Sequence, residues 1–273
     1  MICSVILKIK DTKDMENSTL KVTTVQTHLA WENAIANRAN FDTLLNRIQD
    51  TQLVVLPEMF TTGFTMNASV VAEPEPFLTL QWMQQWAKQL NAAIAGSVVT
   101  KVNDNFYNRL YFVYPDGSFK TYDKKHLFTL ANEHETYTAG TKKIVVDYLG
   151  WRICPLICYD LRFPVWARNT EDYDVLLYVA NWPKTRVKAW DTLLQARAIE
   201  NMSYCIGVNR IGLDGGGYEY TGHTAIYDVL GKLISSAELE SELVQTIELE
   251  KDNLQKVRSK LKFLQDRDSF NLI

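Results

Sequence analysis

Disulfide chemistry is poorly provided for in this sequence: four cysteines, Cys3, Cys154, Cys158 and Cys205, stand at irregular spacing in 273 residues, too few for a secreted disulfide framework. No apolar run approaches the length needed to cross a membrane. Neither sign of charge predominates. Lys and Arg number 29 against 32 Asp and Glu, mixed along the chain, so no basic footprint points to nucleic acid. The opening MICSVILKIK has neither a basic leader nor a small-residue cleavage site, which argues against a signal peptide. Together these absences predict a cytoplasmic protein that engages neither nucleic acid nor a membrane. Glycine crowds only once, in GLDGGGYEYTGH. That patch lacks the strand before it and the helix after it that a dinucleotide fingerprint requires, so it reads as a flexible loop.

What the chain does have is core material: 47% of its residues are hydrophobic, ample for one large α/β domain. Residues 1–18 read as a dispensable extension and 19–273 as a single domain, because no low-complexity linker interrupts the pattern. Alternation from Leu20 to Thr27 predicts a strand, and Ala36, Phe41, Leu44, Leu45 and Ile48 mark a helix over 33–48. A buried strand over 52–56, a helix over 77–90 and a strand over 92–99 then repeat a β-α-β rhythm. Pro115-Asp116-Gly117 between two strand-like runs predicts an antiparallel hairpin, so the sheet is mixed. After a polar loop, strands are expected over 151–157, 175–180 and 204–209, with a short helix near Val165 and an amphipathic helix over 185–201. Strand-turn-strand material around Gly231 fills 224–247.

In open α/β sheets, sites gather beyond the carboxyl ends of strands. Glu58, Cys158 and Asn181 each stand just past a predicted strand, and Lys124 lies in the loop leaving the hairpin, so these side chains can meet in one crevice. The chain breaks directly after Cys158 into Tyr-Asp-Leu-Arg-Phe-Pro. A thiol there sits beside the backbone N–H groups of a helix start, where thiolate and oxyanion are both favoured. A carboxylate that takes the thiol proton, a sulfur that attacks an electrophilic carbon, and an ammonium beside a backbone N–H describe covalent acyl transfer. Leu56, Pro57, Met59 and Phe60 give Glu58 an apolar setting suited to proton shuttling near neutrality.

Simpler uses compete. Cys158 could be a small core residue, His126 the base of a Cys-His dyad, and Asp160 and Arg162 a local ion pair and cap. Zinc held by Cys154, Cys158 and His126 fails on a C-x3-C spacing along one strand with no second Cys/His pair, so no metal site is expected. Trp182, Lys184 and Arg186 follow the strand at 175–180 and offer an aromatic wall with cations suited to a substrate carboxylate.

LVVLPEMFTTGF, YDKKHLF and GWRICPLICYDLRFP are similar to the three signature segments of the nitrilase, or carbon-nitrogen hydrolase, superfamily. YVANWP, LLQARAIENMSY and GVNRIG resemble its bacterial omega-amidase branch. The resemblance implies a four-layer α-β-β-α sandwich with two mixed sheets, dimerising through the face that bears the helix after the nucleophile. It places the nucleophile on Cys158, the general base on Glu58, the catalytic lysine on Lys124 rather than Lys125, and an oxyanion donor on the backbone N–H of Tyr159. An auxiliary glutamate falls on Glu133, seven residues before Gly140, with Glu135 as the alternative. The implied substrates are the terminal amides of short 2-oxo dicarboxylic acids, 2-oxoglutaramate and 2-oxosuccinamate, hydrolysed through a cysteine thioester without metal or organic cofactor. Deaminated glutathione or another small amide or carbamoyl compound is the alternative substrate, and a non-catalytic binding module is the alternative class.

Overall fold

Period-two alternation decides the architecture of the computed structural model, which describes residues 18–74, 77–236 and 240–271. The extension expected over 1–18 therefore lies, apart from Ser18, outside the described residues. Thr19–Gln26 (β1), Leu53–Val55 (β2), Glu73–Pro74 (β3), Ala93–Val102 (β4), Asn105–Val113 (β5), Phe119–Asp123 (β6) and Leu243–Glu250 (β14) form one sheet. Its order is β14-β1-β2-β4-β5-β6, with β3 added on β4. β1, β2 and β4 run parallel, whereas β5 and β6 fold back as the hairpin expected from Pro115-Asp116-Gly117.

Leu20, Val22, Leu53, Val55, Ala93, Ala95, Leu110 and Phe112 turn to one face of this sheet and join a core shared with the second sheet. Val25, Val54, Ile94, Val98, Tyr111 and Val113 belong to the opposite cluster, under helices α1 (Ala34–Leu45) and α3 (Leu78–Leu90). A short helix, α2 (Ala68–Val71), stands between them in sequence. Fully burying one such side chain contributes roughly 1.5–3 kcal/mol, so a one-residue slip, which exchanges the faces, is strongly disfavoured.

The second sheet is built from Val146–Tyr148 (β7), Trp151–Ile157 (β8), Val175–Val179 (β9), Tyr204–Val208 (β10) and Ala225–Tyr227 (β13), in the order β13-β10-β9-β8-β7. Its three central strands are parallel and covered on both faces, which is why VLLYV carries no polar alternation. α6 (Val187–Asn201) lies over it through Trp190, Leu194 and Ala198, and α5 (Pro164–Ala167) follows the end of β8. The result is the expected four-layer α-β-β-α sandwich. Among the described residues no helix is long and apolar enough to cross a membrane.

Three segments differ from expectation or go beyond it. GLDGGGYEYTGH is not a loop but a hairpin, β11 (Ile211–Leu213) with β12 (Glu219–Thr221), because Asp214 Oδ1 accepts the N–H groups of Gly216 and Tyr218 and closes the turn. The turn expected around Gly231 forms, with Tyr227 bridged to Leu233, and beyond it β14 crosses to the first sheet and pairs along all of β1. Helix α7 (Lys251–Leu261) was not anticipated, since only Leu254, Val257 and Leu261 mark its apolar stripe. It is fixed by the Arg258 to Asp174 ion pair at 3.0 Å and by Leu254 in the core.

Candidate active site

β2 of the first sheet ends at Val55, and the parallel strands β8 and β9 of the second end at Ile157 and Val179; these ends present Glu58, Cys158 and Asn181 to one another across the two sheets. The backbone turns abruptly at Cys158 and directly after Glu58. Cys158 has φ +43° and Met59, directly after Glu58, also φ +43°, a left-handed conformation that costs a non-glycine residue of order 1–3 kcal/mol and persists only where surrounding structure imposes it. Around Cys158 that constraint comes from Asp160, fully buried. Its carboxylate accepts from the Ile157 N–H (3.1 Å), the Tyr122 hydroxyl (2.7 Å), and the backbone N–H (3.0 Å) and Nδ1 (2.8 Å) of His126. The carboxylate thus ties the Cys158 turn to the loop that carries Lys124.

Lys124 leaves β6 and enters a pocket of charge. Its Nζ lies 3.0 Å from Glu58 Oε1 and 2.9 Å from both oxygens of Glu133, all three side chains being essentially excluded from solvent. Glu133, at the start of the short helix α4 (Glu133–Thr136), also accepts the Phe128 N–H at 2.5 Å. Glu135 is exposed, so of the two candidate glutamates it is Glu133 that stands against Lys124. Gly140 is required behind this loop: its N–H donates to the Lys124 carbonyl at 2.8 Å, and a β-carbon there would come within 2.0 Å of the Asp123 carbonyl oxygen.

Glu58 is not in the purely apolar cleft its neighbours suggested. Its Oε1 also accepts from Asn108 Nδ2 at 2.7 Å, its Oε2 accepts the Asn181 N–H at 2.8 Å, and the Asn181 amide donates to the Glu58 carbonyl at 2.6 Å. Asn108 was missed in the sequence. It shares a strand face with Leu110 and Phe112, and that parity was the available signal.

Burial pulls the Lys124 ammonium down, but Glu133, Glu58 and the Cys158 sulfur outweigh it and hold the charged form. Glu133 is pushed up by burial and by Glu58, against the opposing pull of Lys124; the ammonium on both its oxygens keeps it a carboxylate. The Cys158 thiol is pushed well up, first by burial and then by Glu58, and Lys124 offsets only part of this. The helix start at Cys158 thus does not overcome desolvation, and Sγ donates to the Asn181 carbonyl oxygen at 3.8 Å.

The groups open onto a cavity of about 330 Å³. Lys124, Cys158 and Asn181 form its buried floor; Tyr159 and Trp182 stand on the wall together with Arg162 and Arg186. The expected ion pair between Asp160 and Arg162 does not form, because Asp160 is saturated by other donors. The Arg162 guanidinium instead lies 4.9 Å over the Trp182 ring, and that of Arg186 lies 5.1 Å over Phe128. Lys184 points elsewhere, to Glu219 at 3.0 Å. His126 stacks on Phe163 at 3.6 Å with Nδ1 on Asp160, and makes no hydrogen bond to Cys158, which removes the dyad reading. Cys154 is sealed in the core on the face of the second sheet that α6 covers, and among the described residues no group of three or more His, Cys, Asp or Glu side chains is placed to hold a metal ion.

Residues 21–259 match the family described as Carbon-nitrogen hydrolase. The chain belongs to that family. It is 48% identical over 256 residues to the omega-amidase YafV of Yersinia enterocolitica, a match spanning 94% of this chain and all of that one. The 2-oxoglutaramate amidase of Bacillus subtilis is 35% identical over 198 residues, 71% of this chain and 76% of that one. Among solved structures, a carbon-nitrogen hydrolase superfamily protein from Xanthomonas campestris, which carries an arsenic adduct in its active site, superposes with a TM-score of 0.91 at 41% identity, covering 93% of this chain and 99% of that one. This carbon-nitrogen hydrolase is thus an amide-hydrolysing enzyme rather than a binding module on the same sandwich.

Proposed function

We propose that the protein is an omega-amidase that hydrolyses the terminal amide of short 2-oxo dicarboxylic monoamides, 2-oxoglutaramate foremost, to the diacid and ammonia. The observation that carries the substrate class is the pair Arg162 and Arg186: two guanidiniums on the wall of the cavity above Cys158, neither with an ion-pair partner among the described residues. A carboxylate at the end of the substrate opposite its amide is the group such a fork binds. The relatives named as an omega-amidase and a 2-oxoglutaramate amidase support the same reading.

In the proposed cycle Glu58 takes the Sγ proton as sulfur attacks the amide carbon, and the Lys124 ammonium and the Tyr159 N–H receive the oxyanion. Protonated Glu58 then gives its proton to the amide nitrogen, the C–N bond breaks, and ammonia leaves a thioester on Cys158. Water attacks the thioester as Glu58 removes its proton; the C–S bond breaks and the proton returns to sulfur. Glu133 never touches the reacting carbon. It holds Lys124 in place and keeps its charge, so that the ammonium is present when the oxyanion forms.

The protein is further proposed to work in the cytoplasm, where its buried free thiols Cys154, Cys158 and Cys205 stay reduced, and as a homodimer through the α6 face, where Ile199 and Leu230 are exposed apolar residues. Ammonia release from 2-oxoglutaramate, glutamine and deaminated glutathione tests the substrate. Arg162→Ala and Arg186→Ala are each expected to raise KM for 2-oxoglutaramate by about 10-fold or more, the equivalent of one charge-assisted hydrogen bond, with a smaller change in kcat. Faster turnover of deaminated glutathione, or an unchanged KM in both variants, would reject the assignment.

A further inference from the structure

Burial grades along the cavity. The floor at Cys158 is 8% exposed, whereas the rim residues Trp31, Tyr218 and Leu130 are 36%, 57% and 78% exposed. Among these rim residues Trp31 packs closely against its neighbours. Its indole lies between two glycines from different loops: a β-carbon on Gly63 would be 3.2 Å from Trp31 Cε3, and one on Gly215 would be 2.4 Å from Cε2 and Nε1. Gly63 belongs to the loop that follows Glu58, and Gly215 to the tip of the β11–β12 hairpin. The next residue, Glu32, is held at φ +50° by its N–H on the Thr62 carbonyl (2.8 Å) and by its carboxylate on the Thr65 hydroxyl (2.5 Å) and the Asn67 amide (3.2 Å). The segment that carries Trp31 is therefore clamped to the loop after Glu58.

We propose that Trp31, pinned between Gly63 and Gly215, is the end wall of the substrate cavity and sets the length of acyl chain that the enzyme accepts. The inference rests on the omega-amidase reading above and adds a residue that decides between homologous substrates. One extra methylene in an apolar pocket changes the specificity constant by about 10- to 200-fold, so an indole that blocks one carbon is sufficient to discriminate.

The test compares kcat/KM for 2-oxosuccinamate, 2-oxoglutaramate and the six-carbon 2-oxo homologue. Wild-type enzyme is expected to lose at least about tenfold on passing from the five- to the six-carbon amide, and Trp31→Ala to recover that loss. Gly215→Ala must push the indole aside, so it alters the same ratio alone but adds little on the Trp31→Ala background. Trp31→Leu provides a second, less drastic cut, and circular dichroism checks that each variant is folded. A six-to-five-carbon ratio unchanged in both Trp31 variants overturns the wall while leaving the amidase reading intact, as does an effect of Gly215→Ala that persists without the indole. Wild-type inactivity on all three amides overturns both.

Discussion

Glu58→Gln is expected to lower the turnover of 2-oxoglutaramate by at least about 10³-fold, because one carboxylate is asked to accept the thiol proton, deliver it to ammonia and then activate water, and each general acid–base step is worth about 10²–10⁴-fold. The replacement keeps the shape and the buried position. It also turns an amide N–H₂ toward donors that now face carboxylate oxygens, Lys124 and Asn108 on one side and the Asn181 N–H on the other. That mismatch costs stability, on the order of 1–3 kcal/mol for an unsatisfied buried donor. Relief of the repulsion between the two carboxylates that share Lys124 offsets part of it, so the variant remains folded. A second readout separates charge from folding. Glu58 is the largest upward push on the Cys158 thiol after burial, and Lys124 remains to pull the other way. Alkylation of Cys158 should therefore begin at lower pH in Glu58→Gln than in wild type, even as catalysis disappears. A titration of iodoacetamide labelling against pH measures this; an onset at the same or higher pH would show that the Glu58 charge does not govern the thiol.

Cys158→Ala is expected to remove turnover by about 10⁴-fold or more, the scale on which loss of a covalent nucleophile acts when the remainder of the site is intact. In wild type, brief exposure to 2-oxoglutaramate followed by acid quench should yield a species heavier by the substrate minus ammonia, mapping to Cys158. Cys154 supplies an internal control, because burial with little compensating positive charge pushes its thiol up to about 12 and closes it to acylation. Ammonia release that survives in Cys158→Ala, or an adduct on another side chain, would exclude the thioester route.

Much of this site was legible in the sequence because its members stand where strands stop. Glu58 and Cys158 break apolar runs that would otherwise continue, and a polar residue at such a break has no structural use as simple as the one it interrupts. The fold was legible for a related reason: Leu53 and Val55 belong to one core and Val54 to the other, and that alternation demands a sheet covered on both sides. What escaped depended on distant partners. Arg162 reads as the companion of Asp160 two residues away, until Tyr122 and His126 claim that carboxylate and Trp182 takes the guanidinium. Trp31 has no marker of its own, since the two glycines that pin it lie 32 and 184 residues further along. Helix α7 was hidden by a narrow apolar stripe in a charged segment, and the hairpin at Asp214 by glycines that signal freedom when they in fact admit close approach.

The hydrogen bond from the Asn181 N–H to Glu58 joins a strand end of one sheet to a strand end of the other. Neither half of the sandwich holds the whole cluster: one brings Glu58 and Lys124, the other Cys158 and the Asn181 N–H. A chain whose two layers have parted keeps the ladders within each sheet, yet its sulfur stands apart from the carboxylate and ammonium of the other half, so it cannot complete a hydrolytic cycle.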